Sequence, residues 1–165
     1  MNRRVLTIAN GGMLAAMVFV ATYLIKLPVS LTQGYIHLGD SVILLGAALM
    51  GPAGVPAAAV GSMLADLLGG YTVYCLPTFV IKGAVAAVAV CGMRRPEPLW
   101  KAVLWMILAE AVMVSGYFLA EWMLLGYGLA AAASAVLPNV VQGAGGVVIA
   151  AVFLPMLQRV KKMSR

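Results

Sequence analysis

Charge is what this sequence has least of: eleven Lys or Arg, five Asp or Glu and one His among 165 residues. A soluble fold of this length needs many more charged groups to cover its surface, so water is not the chain's main solvent. Cysteine is scarce as well. Cys75 and Cys91 are separated by what reads as most of one helix, about 24 Å at the helical rise, which argues against a disulfide between them. No Cys/His cluster has metal-ligand spacing, and no Ser has a placed base. Asp40 and Asp66 lack the Gly-x-Gly-Asp setting of an intramembrane aspartyl pair. There is no Gly-x-x-x-x-Gly-Lys-Ser/Thr phosphate loop, so the sequence offers no ATPase site of that kind. The chain reads as a non-enzyme that binds no metal or cofactor itself, and it shows no internal repeat.

What is present is apolar: 64% of the residues are hydrophobic and the mean hydropathy is +1.03. Long apolar runs cover residues 5–25, 41–68, 77–93, 102–125 and 134–157, and about 20 residues suffice for a helix to cross a bilayer. The first could pass for a signal peptide, but its small residues read as a working helix. The second run decides the topology. Left whole it gives five crossings; split at Gly51-Pro52, where glycine relaxes the backbone and proline suits a first helical turn, it gives six. Apart from Lys26 and Lys82, every Lys and Arg falls in Arg3–Arg4, Arg94–Lys101 or Arg159–Arg165. Six crossings place all three clusters and both termini on the cytoplasmic side, as the excess of basic residues in cytoplasmic loops requires. The expected fold is an all-α integral membrane protein, a single domain over 1–165 with six transmembrane helices near 5–26, 39–50, 52–68, 77–93, 100–125 and 134–158. The second helix, about 18 Å long, needs shielding by protein.

An ionisable side chain inside a span costs roughly 2.5–3.5 kcal/mol, so each asks for a reason. Asp66 and Lys82 fall at similar depth on consecutive helices and are expected to pair, with either one also open to a ligand group. Asp40 heads the second helix, where it can cap the first turn and still meet a ligand. Glu110, Tyr117 and Glu121 share one face of the fifth helix; Glu121 could equally sit among headgroups beside Trp122. Asn139 and Gln142, three apart after Leu137-Pro138, present two amides at the outer end of the last helix. The outer loops add Gln33, Tyr35 and His37, then Tyr71 and Tyr74, although a lone histidine is as often solvated. Aromatic and amide groups converging from several outer segments, with a few charges, describe the lining of a small-molecule pocket. On the first helix Gly11/Ala15 and Gly12/Ala16 form a small-residue stripe for close contact, within the chain or with a partner.

The segment Tyr35-Ile36-His37-Leu38-Gly39-Asp40-Ser41, the Gly51-Pro52 turn, Gly61 to Asp66, Gly69-Gly70-Tyr71 and Thr78 to Gly83, in that order, resemble a known family. It is the substrate-binding S component of energy-coupling factor (ECF) vitamin transporters, in its riboflavin-type branch. Asn139 and Gln142 fit the same pattern. The resemblance implies a plasma-membrane subunit of a prokaryote that captures a vitamin or precursor from outside. Riboflavin, or a heterocycle like vitamin B6 or hydroxymethylpyrimidine, would be the cargo. The partners implied are a transmembrane coupling (T) subunit and two ATPase subunits. The family's alanine-x-x-x-alanine contact element falls where this chain has Gly11, Gly12, Ala15 and Ala16. The buried acids leave a competing reading, an autonomous ion-coupled transporter or channel; a scaffold is the blander one.

Overall fold

The computed structural model describes residues 2–28, 35–93, 95 and 97–163. Its elements are α1 (Arg3–Tyr23), β1 (Leu27–Pro28), β2 (Tyr35–Ile36), α2 (Gly39–Met50), α3 (Gly54–Gly69), α4 (Cys75–Met93), α5 (Leu99–Leu119) and α6 (Leu129–Met163). Among the described residues five stretches are long and apolar enough to cross a membrane, with Gly39–Gly69 counting as one of 31 residues. The fold divides that stretch. Gly51 takes a φ of 59°, a left-handed value that suits glycine, and a 3-10 turn over Gly51–Ala53 with Pro52 in its first turn follows.

Side-chain neighbours show that the chain reverses there. Leu14 packs on Gly46 and Thr22 on Gly39, so α1 and α2 run antiparallel, whereas Ala15 lies on Gly61 and Lys26 on Gly69, so α1 and α3 run parallel. These contacts need the glycines: a methyl group at Gly61 would collide with the Ala15 carbonyl oxygen. The up-and-down course continues, with Gly92 against Trp105, Ile81 against Gly116, and Gly143 against Glu110. Helix α6 also lies along α2, where Gly146 backs onto Asp40. The short α2 buries Gly39, Asp40, Ser41, Ile43, Leu44, Gly46, Ala47 and Ala48, which gives it the protein shield that a 12-residue helix in a bilayer requires.

An aliphatic core of Leu14, Val18, Ile43, Leu44, Val85, Met106 and Leu154 holds the bundle together. Outside it, Val5, Ile8, Leu104, Ile107, Val148 and Val152 point outward, a pattern that suits lipid as the surrounding solvent. On α1, Leu14, Val18 and Thr22 form the buried stripe. Gly12 and Ala16 face outward, Gly11 and Ala15 are half-buried, and nothing lies near a methyl group added at Gly11 or Gly12.

Three local features differ from the sequence expectation. Helix α6 begins at Leu129 rather than 134, because the Ala130–Ala133 tract is strongly helix-forming, and Pro138 lies well inside it. Regular α-helix in α5 stops at Leu119 and widens into a π turn over Ala120–Leu124, with Leu125 N–H donating to the Ala120 carbonyl at 2.8 Å. Between α1 and α2 a two-residue antiparallel pairing sets Leu27 opposite Ile36 and Pro28 opposite Tyr35.

Candidate ligand pocket

The C-terminal ends of α1, α3 and α5 meet the N-terminal ends of α2 and α4 and the first half of α6 around one polar cavity. Helix α1 supplies Thr22, the β2 segment Tyr35 and His37, and α3 Asp66; Tyr74 and Thr78 come from the turn before α4 and its first turn. Tyr117 and Glu121 come from α5 and its π turn, and Asn139 and Gln142 from α6. The extra residue of the π turn matters here: Glu121 is buried and accepts from the Tyr74 hydroxyl at 2.9 Å, while Trp122 is exposed. Glu121 is thus a pocket residue and not a headgroup-level one. The cavity volume is small, about 30 Å³, room for one or two waters.

The wall is held by hydrogen bonds between elements far apart in sequence. Gln142 is the central tie: its Oε1 accepts from the His37 backbone N–H at 2.9 Å and its Nε2 donates to Asp40 Oδ2 at 2.6 Å. His37 is buried, and its Nδ1 accepts from the Gly39 N–H at 3.0 Å, which leaves the proton on Nε2. Burial first, and then the Lys82 charge, push its pKa down to about 3, so the ring stays neutral. It is a fixed wall group, not the solvated histidine that one reading allowed. The Tyr35 hydroxyl donates to Asp66 Oδ1 at 2.5 Å, and Thr78 Oγ1 lies 3.0 Å from the Tyr117 hydroxyl. Burial and then Asp66 raise the Tyr35 pKa, which keeps its proton in place for that bond.

Lys82 does not pair with Asp66. Its Nζ donates to Asp40 Oδ1 at 2.5 Å, both side chains are essentially inaccessible, and the Tyr117 ring centroid lies 5.4 Å from the ammonium. Both residues stand behind the pocket wall. Asp40 also does not cap its helix: the N-cap is Leu38, without a side-chain bond, and the Asp40 carboxylate is already engaged by Lys82 and Gln142. Tyr71 is outside the cavity, 4.5 Å from Tyr35 ring to ring, and with Tyr23 and Tyr35 it surrounds the Lys26 ammonium at 4.4–5.1 Å. Gln33 lies outside the described residues. Glu110 faces α6 beside Gly143, away from the cavity, with both oxygens buried and unbonded. The polar stripe shared by Glu110, Tyr117 and Glu121 is therefore divided between two environments. Sequence reasoning did not single out Thr22 or Thr78 as lining residues. The only signal for them was position, in the first turn of α4 for Thr78 and at the penultimate residue of α1 for Thr22.

An α-helical membrane bundle with a polar pocket at one end suits a membrane-embedded binding subunit. The profile of the family described as "ECF-type riboflavin transporter, S component" matches residues 2–159, and the chain belongs to that family. It is 35% identical over 133 residues to an uncharacterised protein of Pyrococcus woesei, covering 80% of this chain and 88% of that one. A solved structure, described as the S component of a bacterial ECF transporter, shares the fold at a TM-score of 0.73 and 22% identity, over 99% of each chain. The protein is therefore a substrate-binding component of an ECF-type membrane transporter, and S components of this kind work with T and ATPase subunits.

Proposed function

We propose that the protein captures a small vitamin-like heterocycle from outside the cell in this pocket and releases it inward only when docked on a T subunit with two ATPases. The observation that carries the reading is the convergence of tyrosine, amide and carboxyl groups on one buried cavity at the end opposite the basic clusters. In this reading the chain crosses the plasma membrane six times with both termini inside, because the reversal at Gly51–Ala53 returns α3 to the pocket end. The pocket walls have to move apart for any heterocycle to enter, riboflavin or a single pyridine or pyrimidine ring alike. The outward Gly12/Ala16 edge of α1, with Gly11 and Ala15 beside it, offers close approach to the T subunit.

The test is uptake of labelled hydroxymethylpyrimidine, pyridoxine and riboflavin into cells lacking their own carriers. Net accumulation is expected only when T and ATPase subunits are co-expressed, with an ATPase-dead variant abolishing it. Accumulation by this chain alone, driven by an ion gradient, would replace the proposal with an autonomous transporter.

A further inference from the structure

Glu110 is an ionisable side chain of the bundle interior that neither the ligand pocket nor its supporting wall uses. It is 5% exposed, and among the described residues no donor reaches either of its oxygens. The charges that act on it are Asp40 and Lys82, and those two are bonded to each other. At the helical rise it stands roughly 16 Å from Leu99 and roughly 21 Å from Leu124, so phospholipid headgroups at either surface are too far away to meet it. A buried acid at such depth, with no partner inside its own protein, calls for one from elsewhere.

The space beside it has a definite shape. Helices α5 and α6 run antiparallel here, and the groove between them opens sideways past the exposed Ala111 and Ala144, with a volume of about 360 Å³. Glu110 and Gly143 form its middle, and the glycine gives the carboxyl its room, since a methyl group there would stand 3.1 Å from Oε2. Branched side chains close both ends: Ile107 and Val147 towards the basic clusters, Val114 and Val140 towards the pocket. The stretch between them is about 10 Å long, two turns of helix. A transmembrane helix needs an unbroken furrow, whereas a dent of this length suits a compact molecule. The walls are aliphatic apart from Ser115, whose hydroxyl already donates to the Ala111 carbonyl at 2.8 Å.

What such a molecule must bring is a group for the acid. A lipid acyl chain brings none. An amine does: the carboxyl O–H bond gives way to an N–H bond, and the ammonium and carboxylate that result share a charge-assisted hydrogen bond, which an apolar medium strengthens.

We propose that this dent is a second binding site, entered from the lipid and separate from the ligand pocket, which takes a compact lipophilic amine on Glu110.

The experiment uses the purified full chain in lipid nanodiscs, with dicyclohexylcarbodiimide as a lipid-soluble reporter of the Glu110 carboxyl. In that reaction the acid proton moves to a carbodiimide nitrogen and the carboxylate oxygen bonds to the central carbon. The O-acylisourea then rearranges to a stable N-acylurea, which mass spectrometry locates. The probes are N,N-dimethyl-adamantylamine, a tertiary amine that cannot be converted to an amide, and isopropyladamantane, its isostere without nitrogen. At saturation the amine is expected to slow labelling of Glu110 about tenfold, and the hydrocarbon by less than about twofold. The amine is also expected to raise the melting temperature of the wild type but not of Glu110→Gln, nor of Ala144→Leu, which fills the dent from its exposed rim. No labelling of Glu110, or labelling that the amine leaves unchanged, overturns the proposal. Equal protection by the hydrocarbon also overturns it, because any apolar chain then fills the groove. Labelling that appears only after detergent strips away a second copy or a partner subunit overturns it in favour of a protein helix. If Glu110→Gln fails to fold, the wild-type labelling rates decide.

Discussion

Lys82→Met is expected to lower the stability of the ligand-free protein by about 3–5 kcal/mol, the usual cost of removing one partner from a buried ion pair. The Asp40 carboxylate would remain in the bundle interior with only Gln142 to bond it. The double variant Lys82→Met/Asp40→Leu is expected to recover most of that loss, because replacing a buried pair by apolar groups is often neutral. Thermal melting of both variants in detergent checks this. The comparison also separates two roles for the lysine. A single variant that melts like the wild type yet no longer binds ligand would place Lys82 on the ligand instead of behind the wall.

Gln142→Leu should damage stability and binding together. It leaves two buried groups without their partner, the His37 N–H and Asp40 Oδ2, at roughly 1–3 kcal/mol each. It also frees the His37 segment from α6, so the wall loses its register. A melting loss of about 2–5 kcal/mol is expected, with at least tenfold weaker ligand binding in the part of the population that stays folded. Gln142→Glu offers the contrast. It can still accept from the His37 N–H but sets a second carboxyl against Asp40, so its defect should shrink as the pH falls and one of the two is protonated. Unchanged affinity in Gln142→Leu would show that this tie does not shape the pocket.

Much of the architecture could be read from the chain because a bilayer leaves few alternatives. Long apolar runs must be helices, and the only proline-glycine break in the second run is also where Gly51 adopts its left-handed φ. The gathering of Tyr35, His37, Tyr74, Tyr117, Glu121, Asn139 and Gln142 followed from placing polar groups at helix ends on one side. Pairing did not follow. Depth along a helix says how far two residues lie from the membrane surface but not which way they face, so similar depth pointed to Asp66 as the partner of Lys82, whereas lateral packing of α2 against α4 and α6 chose Asp40. The π turn at Glu121 was likewise hidden, since one extra residue in a helical turn leaves no compositional trace yet rotates everything after it. Helix α6 starts earlier than the apolar run at 134 suggests, since the alanine tract before it is helix-forming, and neighbouring helices in a membrane bundle tolerate Pro138 inside it.

Glu110 is the polar group left without a part in the pocket. Its oxygens are buried beside Gly143, an arrangement expected to cost stability, and nothing in its surroundings ties it to the ligand.

Capture from outside requires the pocket end to face the exterior, and cysteine labelling reads that directly. With Cys75 and Cys91 changed to alanine, Val73→Cys in the turn beside the pocket and Glu97→Cys in the basic connection report on opposite ends. A membrane-impermeant maleimide should label position 73 on intact cells and position 97 only after permeabilisation. Labelling of position 97 from outside would contradict the orientation, and with it capture from the exterior.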